Sequence, residues 1–292
     1  MSGPFWQYTA FVVLIVGMFV GNRILARRER TPSAARAERV VLLTMLGGFL
    51  GAPFWWSGDP DAFAWTLAPL AGRFLGAAGI AFGVACFMVL RKPDTRQYRL
   101  VGWMLAAYMA PLAVAIVLFH GNGLDMSKTA SWGFVLIVTV LLIGSAWLLI
   151  TQKEMVADQP PSVFSEWVLT KIGTIAGLWG AALYVWPDGP ASSVWLWAKD
   201  PLTSRLIASM FMTIAIATLI GHGHARSAEI VLATTVVYAT GICLGVAASF
   251  IAGKPVPLGY MAFWLFAGIA AAIAYKRSER RGDSLTPAVQ DG

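Results

Sequence analysis

Charge is scarce in this chain. Of its 292 residues only 13% are Asp, Glu, Lys or Arg, and no carboxylate falls near the middle of any apolar run. Buried ionisable groups mark most proton and ion paths through bilayers, because each costs about 2.5–3.5 kcal/mol on insertion scales. Their scarcity argues against an ion-coupled pump. Cysteine is nearly absent as well: Cys86 and Cys243 sit in separate apolar segments and read as small buried thiols, not as a disulfide or a metal site. The three histidines are divided. His120 ends one segment, whereas His222 and His224 share a GHGHAR loop at the opposite end, and two ligands fall short of the three or four a zinc site needs. GxSxG, P-loop and HExxH patterns are missing, and the glycine-rich runs lie inside apolar segments where no phosphate could reach. These absences give the expectation of no cofactor, no metal and no enzymatic activity.

What is present is hydrophobic. Apolar residues make up 58% of the chain and the mean hydropathy is +0.67, far too high for a soluble globule. Thirteen Trp and seven Tyr suit a bilayer, where such rings settle at the headgroup level. Nine stretches approach the roughly 20 apolar residues that a transmembrane helix needs. They run from Phe5 to Leu25, Val40 to Trp56, Gly72 to Leu90, Leu100 to Phe119, Ser131 to Ile150, Trp167 to Trp186, Thr203 to Ile220, Glu229 to Ile251 and Pro257 to Tyr275. The first is expected to be a retained helix, since Arg23, Arg27, Arg28 and Arg30 follow it and no basic region precedes it. With nine spans, 16 Lys and Arg fall on the side of the first loop and five on the other. The positive-inside rule then places the N-terminus outside and the C-terminus in the cytoplasm of an inner, bacterial-type membrane. Clustered in short loops, the net charge of +7 needs no nucleic acid to explain it.

One pattern occurs twice. WTLAPLAGRFLG (65–76) and WAKDPLTSRLIA (197–208) share Trp, Pro, Leu and Arg in one register, pairing Trp65 with Trp197, Pro69 with Pro201, Leu70 with Leu202 and Arg73 with Arg205. Other echoes, at the same or slightly shorter spacing, are Glu38/Glu166, Tyr108/Tyr238, Trp132/Trp264 and the GxxxG pairs Gly47/Gly51 and Gly173/Gly177. The chain therefore reads as an all-α integral membrane protein with one leading helix and two parallel four-helix repeats. The divisions are 1–37 for the leading helix and its basic loop, 38–151 for the first repeat, and 152–165 for a linker holding Pro160 and Pro161. The second repeat covers 166–276, and 277–292 form a disordered tail. Small residues such as Gly72, Gly76, Gly79 and Gly83 recur at four- and three-residue spacings, which lets helices approach closely within the bundle or in a homo- or hetero-oligomer.

Candidate site residues follow from the repeat. Pro69 and Pro201 suit the first helical turn, with Asp200 as an N-cap, so Arg73 and Arg205 fall one turn inside, where a cation opposes the helix dipole. Either the two guanidinium groups grip a phosphate or carboxylate together, or each is a structural pin on a lipid phosphate, on a loop Asp, or on Trp65 or Trp197. Tyr108 and Tyr238, with the threonines of the eighth segment, form a candidate neutral pocket between the repeats. Thr44, Ser145, Thr174, Thr213, Thr234, Thr235 and Thr240 otherwise bond their own backbone or a neighbouring helix. Pro111 is a candidate hinge or cavity-lining residue, and Lys171 lies shallow enough to snorkel. The leading functional expectation is a structural, assembly or lipid-interacting membrane module whose partners are lipids. A transporter or binder of a small anionic or neutral solute between the repeats comes second, and an intramembrane lipid enzyme third.

Overall fold

The computed structural model describes residues 4–26, 31–57, 63–119, 124, 126–152, 160–195 and 200–284. Among them are nine α-helices and no strand: α1 (Pro4–Leu25), α2 (Pro32–Ser57), α3 (Pro69–Arg91), α4 (Thr95–Phe119), α5 (Thr129–Thr151), α6 (Val163–Val185), α7 (Pro201–Gly221), α8 (Ala225–Ile251) and α9 (Leu258–Ser284). From α2 to α9, eight helices are long and apolar enough to cross a bilayer, and Val12–Leu25 adds a shorter apolar stretch in α1. This is an all-α, multi-pass membrane protein.

Local chemistry sets the helix starts. Thr31 Oγ1 accepts from Ala34 N at 3.3 Å ahead of Pro32, and Ser162 Oγ accepts from Ser165 N at 3.1 Å ahead of α6. Asp200 accepts from the backbone N–H groups of Leu202 (3.1 Å) and Thr203 (2.9 Å), with Pro201 at the first helical position. Two elements run further than the apolar runs indicate. α2 begins at Pro32, well before Val40, so Glu38 lies inside it. α9 continues through the basic segment, so the tail expected to be disordered from 277 is helical as far as Ser284. Gly223 turns the chain between α7 and α8 with φ of +79°, a backbone conformation that side chains disfavour.

The packing has a recurring plan. α2 packs on α3 and α6 on α7; α4 packs on α5 and α8 on α9. Between these pairs, α3 packs against α8 and α7 against α4, while α3 barely touches α4. Helices α3, α4, α7 and α8 thus form the centre, with α2, α5, α6 and α9 around them and α1 against α2. Small residues permit this closeness. A Cβ on Gly76 would stand 2.9 Å from Ala52 O, and one on Gly180 would stand 3.0 Å from Ala208 O. The first GxxxG is displaced by one residue from the contact: Gly47 faces open space, and its neighbour Gly48 lies against the backbone of Gly79.

Candidate functional site

Residues of the four central helices line a cavity of about 40 Å³. A single water needs roughly 10–15 Å³ of such space, so the cavity takes a small molecule or a chain end, not a large solute. Its lining keeps the register seen in the sequence. On α3 and α7, Ala78/Met210, Ala81/Thr213 and Phe82/Ile214 are spaced as Arg73 is from Arg205; on α4 and α8, Met104/Thr234 are spaced as Tyr108 is from Tyr238. Positions related by that register therefore face one space.

The polar groups in the wall have already spent their donors. Thr213 Oγ1 donates to Ser209 O at 2.8 Å, Thr234 Oγ1 to Ile230 O at 2.6 Å and Thr235 Oγ1 to Val231 O at 2.8 Å. Each bond reaches one turn back on its own helix. Tyr238 Oη points to Met210 Sδ at 3.8 Å. What remains facing the cavity is methyl, methylene, aromatic and thioether surface, which binds by dispersion and shape. Tyr238 lines the cavity as the sequence suggests. Tyr108 sits one layer behind it, its ring 5.6 Å from that of the lining residue Phe82. Ala78, Ala81, Phe82, Met104 and Met210 could not be singled out from sequence, because nothing distinguishes an apolar residue facing a gap from one facing a neighbour.

The arginine pair is engaged on two separate faces. Arg73 Nη1 donates to Ser249 Oγ on α8, and its stem lies against Gly245, where an added Cβ would come within 3.2 Å. Arg205 Nη1 donates to Pro201 O at 3.2 Å, and its guanidinium lies 5.8 Å from the centre of the Tyr184 ring. Tyr184 Oη in turn donates to Pro111 O at 3.0 Å, which ties α6 to α4. Pro111 serves that contact and not the cavity, and α4 runs through it unbroken. Trp65 is buried with Phe63 and Phe134 at ring distances of 4.5 and 5.3 Å, and its Nε1 donates to Thr203 Oγ1 at 3.2 Å. It thereby links the start of α3 to the capped start of α7. Trp197 lies outside the described residues, as does His120.

At the opposite end, basic residues close helix termini. Arg99 Nη1 donates to Leu149 O and Gln152 O, at 3.2 and 3.0 Å, where α5 ends. Arg226 donates to Glu229 at 2.8 Å and to Met88 O near the end of α3 at 3.3 Å. Glu38, only 2% exposed, accepts from Tyr98 Oη at 3.4 Å. Lys171 is exposed. His222 Nε2 is 2.7 Å from Thr170 Oγ1, and no group of three or more metal-ligating side chains gathers among the described residues. Cys86 and Cys243 are free thiols. Comparison of the chain with family models, with curated proteins and with solved structures finds no match.

Proposed function

We propose that the protein is a non-catalytic, lipid-interacting membrane module, and that the cavity between its halves receives an acyl-chain end or a similarly small apolar group. One observation carries this reading: every threonine hydroxyl in the wall donates to its own backbone, leaving a pocket that offers dispersion contacts and no free donor. The engagement of Arg73 and Arg205 on different helices supports the role of structural pins over a shared anion clamp.

In this reading the chain is one leading helix (1–37) followed by two parallel repeats (38–151 and 166–276). The crossed pairing of α3 with α8 and of α4 with α7 supports this, as does the matched register in the cavity wall. The charge bias supports an N-terminus outside an inner membrane, with the Arg99 and Arg226 end in the cytoplasm. Lipid is the main partner. The long exposed faces of α1 and α5, with Phe19 66% and Ile143 65% exposed, suit contact with lipid or with another membrane subunit.

Native mass spectrometry of gently extracted protein, wild type against Ala81→Val, tests this. The added methyls occupy cavity space without adding polarity. The proposal expects a lipid retained by the wild type and lost from the variant at unchanged or raised thermal stability. Equal retention by both proteins contradicts it. A second reading, a carrier for a small neutral solute, is favoured by the position of the cavity between the halves, where parallel-repeat transporters place their sites. Retention of a non-lipid molecule that Ala81→Val displaces would shift the assignment to it.

A further inference from the structure

At the end of the bundle where Arg99 and Arg226 close helix termini, the segment GHGHARS (221–227) turns the chain from α7 into α8. His224 stands at the N-cap position without a side-chain cap, so α8 opens on the bare N–H groups of Ala225, Arg226 and Ser227. Such a start carries partial positive charge and unsatisfied donors. The side chains around it add to the deficit. Ser227 is 0% exposed, yet its Oγ has no hydrogen-bond partner among the described residues, and neither do His224 Nδ1 and Arg226 Nε. As the third residue of α8, Ser227 has a Cα–Cβ bond tilted toward the N-terminus, which directs the hydroxyl at that same first turn. Glu229, one turn on, is already paired with Arg226 at 2.8 Å. The start of α4 shows what such a turn takes. The register that pairs Tyr108 with Tyr238 pairs Asp94 with His224, Arg96 with Arg226 and Gln97 with Ser227. The first backbone bonds coincide too: Tyr98 N donates to Asp94 O at 3.1 Å, as Ala228 N does to His224 O at 2.8 Å. At α4 this position is a carboxylate, and Asp94 Oδ1 accepts from Arg96 N at 3.2 Å. At α8 it is a histidine that caps nothing.

We propose that the first turn of α8 binds a phosphate-type oxyanion in the place that Asp94 fills at α4. The donors are the backbone N–H groups of Ala225, Arg226 and Ser227 and the Ser227 hydroxyl. A tetrahedral oxyanion offers several charged acceptors to one helical turn, and the helix dipole favours its charge. The approach is clear: Gly223 has open space where a Cβ would stand. The phosphate belongs either to a lipid headgroup at the membrane surface or to a free phosphate compound, since both present the same oxygens. The proposal stands independently of the lipid-chain reading, because these donors lie in the α7–α8 turn and not in the cavity wall.

The test is thermal unfolding of the whole protein in a neutral detergent, with inorganic phosphate or dioctanoyl phosphatidylglycerol titrated against chloride at equal ionic strength. The wild type is expected to melt higher, saturably, as one or both probes are added. In Ser227→Ala the apparent affinity falls about tenfold or more, as for the loss of a hydrogen bond to a charged group. His224→Asp supplies the carboxylate that α4 carries; it melts higher without a probe and no longer responds to one. Lys276→Gln removes an exposed cation of α9 and keeps the full response, which separates the site from general attraction to basic residues. A wild type indifferent to both probes overturns the proposal. So does a response of equal strength in the wild type, Ser227→Ala and His224→Asp, which would put the anion elsewhere. If Ser227→Ala fails to fold, His224→Asp against Lys276→Gln gives the same answer. A response to inorganic phosphate identifies a free phosphate group as sufficient, and a response to phosphatidylglycerol alone identifies a lipid headgroup.

Discussion

Adjacent glycines in α2 give opposite predictions. An alanine methyl at Gly47 meets nothing within 4 Å, whereas at Gly48 it overlaps the Gly79 carbonyl oxygen and stands 3.3 Å from Gly83 N. Both obstacles at Gly48 are backbone atoms of α3, so no side-chain rotation relieves them. The overlap is short of ordinary contact by about one ångström, and α2 and α3 must part to absorb it. Overpacking of this kind costs about 1–3 kcal/mol. Replacing a mid-helix glycine by alanine returns about 0.5–1 kcal/mol in both variants. Gly47→Ala is therefore expected to be neutral or stabilising by up to about 1 kcal/mol, and Gly48→Ala to lose about 1–2 kcal/mol. Thermal unfolding in mild detergent, followed by far-ultraviolet circular dichroism, reads the gap as roughly 4–8 °C. Equal midpoints, or a Gly47→Ala variant that melts lower, would refute the assignment of Gly48 to the α2–α3 contact.

Other variants test other parts of the arrangement. Asp200→Ala removes two backbone acceptor contacts at the start of α7 and is expected to cost about 0.5–2 kcal/mol by the same unfolding measurement. Ser249→Ala takes away the acceptor of the Arg73 guanidinium and is expected to lower stability by about 1–3 kcal/mol, more than Thr235→Val, which loses only a bond within its own helix. Thr235→Val should also leave any retained lipid in place, since its hydroxyl donates away from the cavity. Ala81→Val should raise stability by at most about 1 kcal/mol, from roughly 24 cal/mol per Å³ acting over the cavity volume. A large loss there would mean that the space is already filled by protein.

The helices themselves are legible because membrane spans announce themselves by length and hydropathy, and all nine expected segments coincide with helices. Their polar extensions are not. Pro32 to Arg39 and Lys276 to Ser284 carry no apolar run, yet helix propensity and capping, with Thr31 ahead of Pro32, carry them on. The register linking Arg73 to Arg205 points to helices that meet, and α3 and α7 indeed present matched positions to the cavity. It gives no guide to where long side chains turn. Arg73 reaches α8 because Gly245 leaves room for its stem, while Arg205 stays over Tyr184. Tyr238 is visible as a lone polar ring in an apolar helix. Tyr260 and Trp264 are not, because aromatic residues near a helix end ordinarily mark a membrane interface, and their burial arises from tertiary packing.

The cavity, the Arg73 contact and the two-unit reading all depend on α3 packing against α8 instead of its sequence neighbour α4. Paired cysteines test this most directly, with Cys86 and Cys243 first replaced by alanine. A Cβ at Gly241 would stand 2.5 Å from Ala77 Cβ, so the two thiols meet once the helices part by about one ångström, to the roughly 3.5–4.5 Å that a disulfide spans. On the α4 side, Ala106 provides the comparison pair with Ala77. Oxidation in native membranes should cross-link Ala77→Cys/Gly241→Cys readily and leave Ala77→Cys/Ala106→Cys uncoupled. A cross-link confined to the α3–α4 pair would contradict the arrangement and remove the cavity with it.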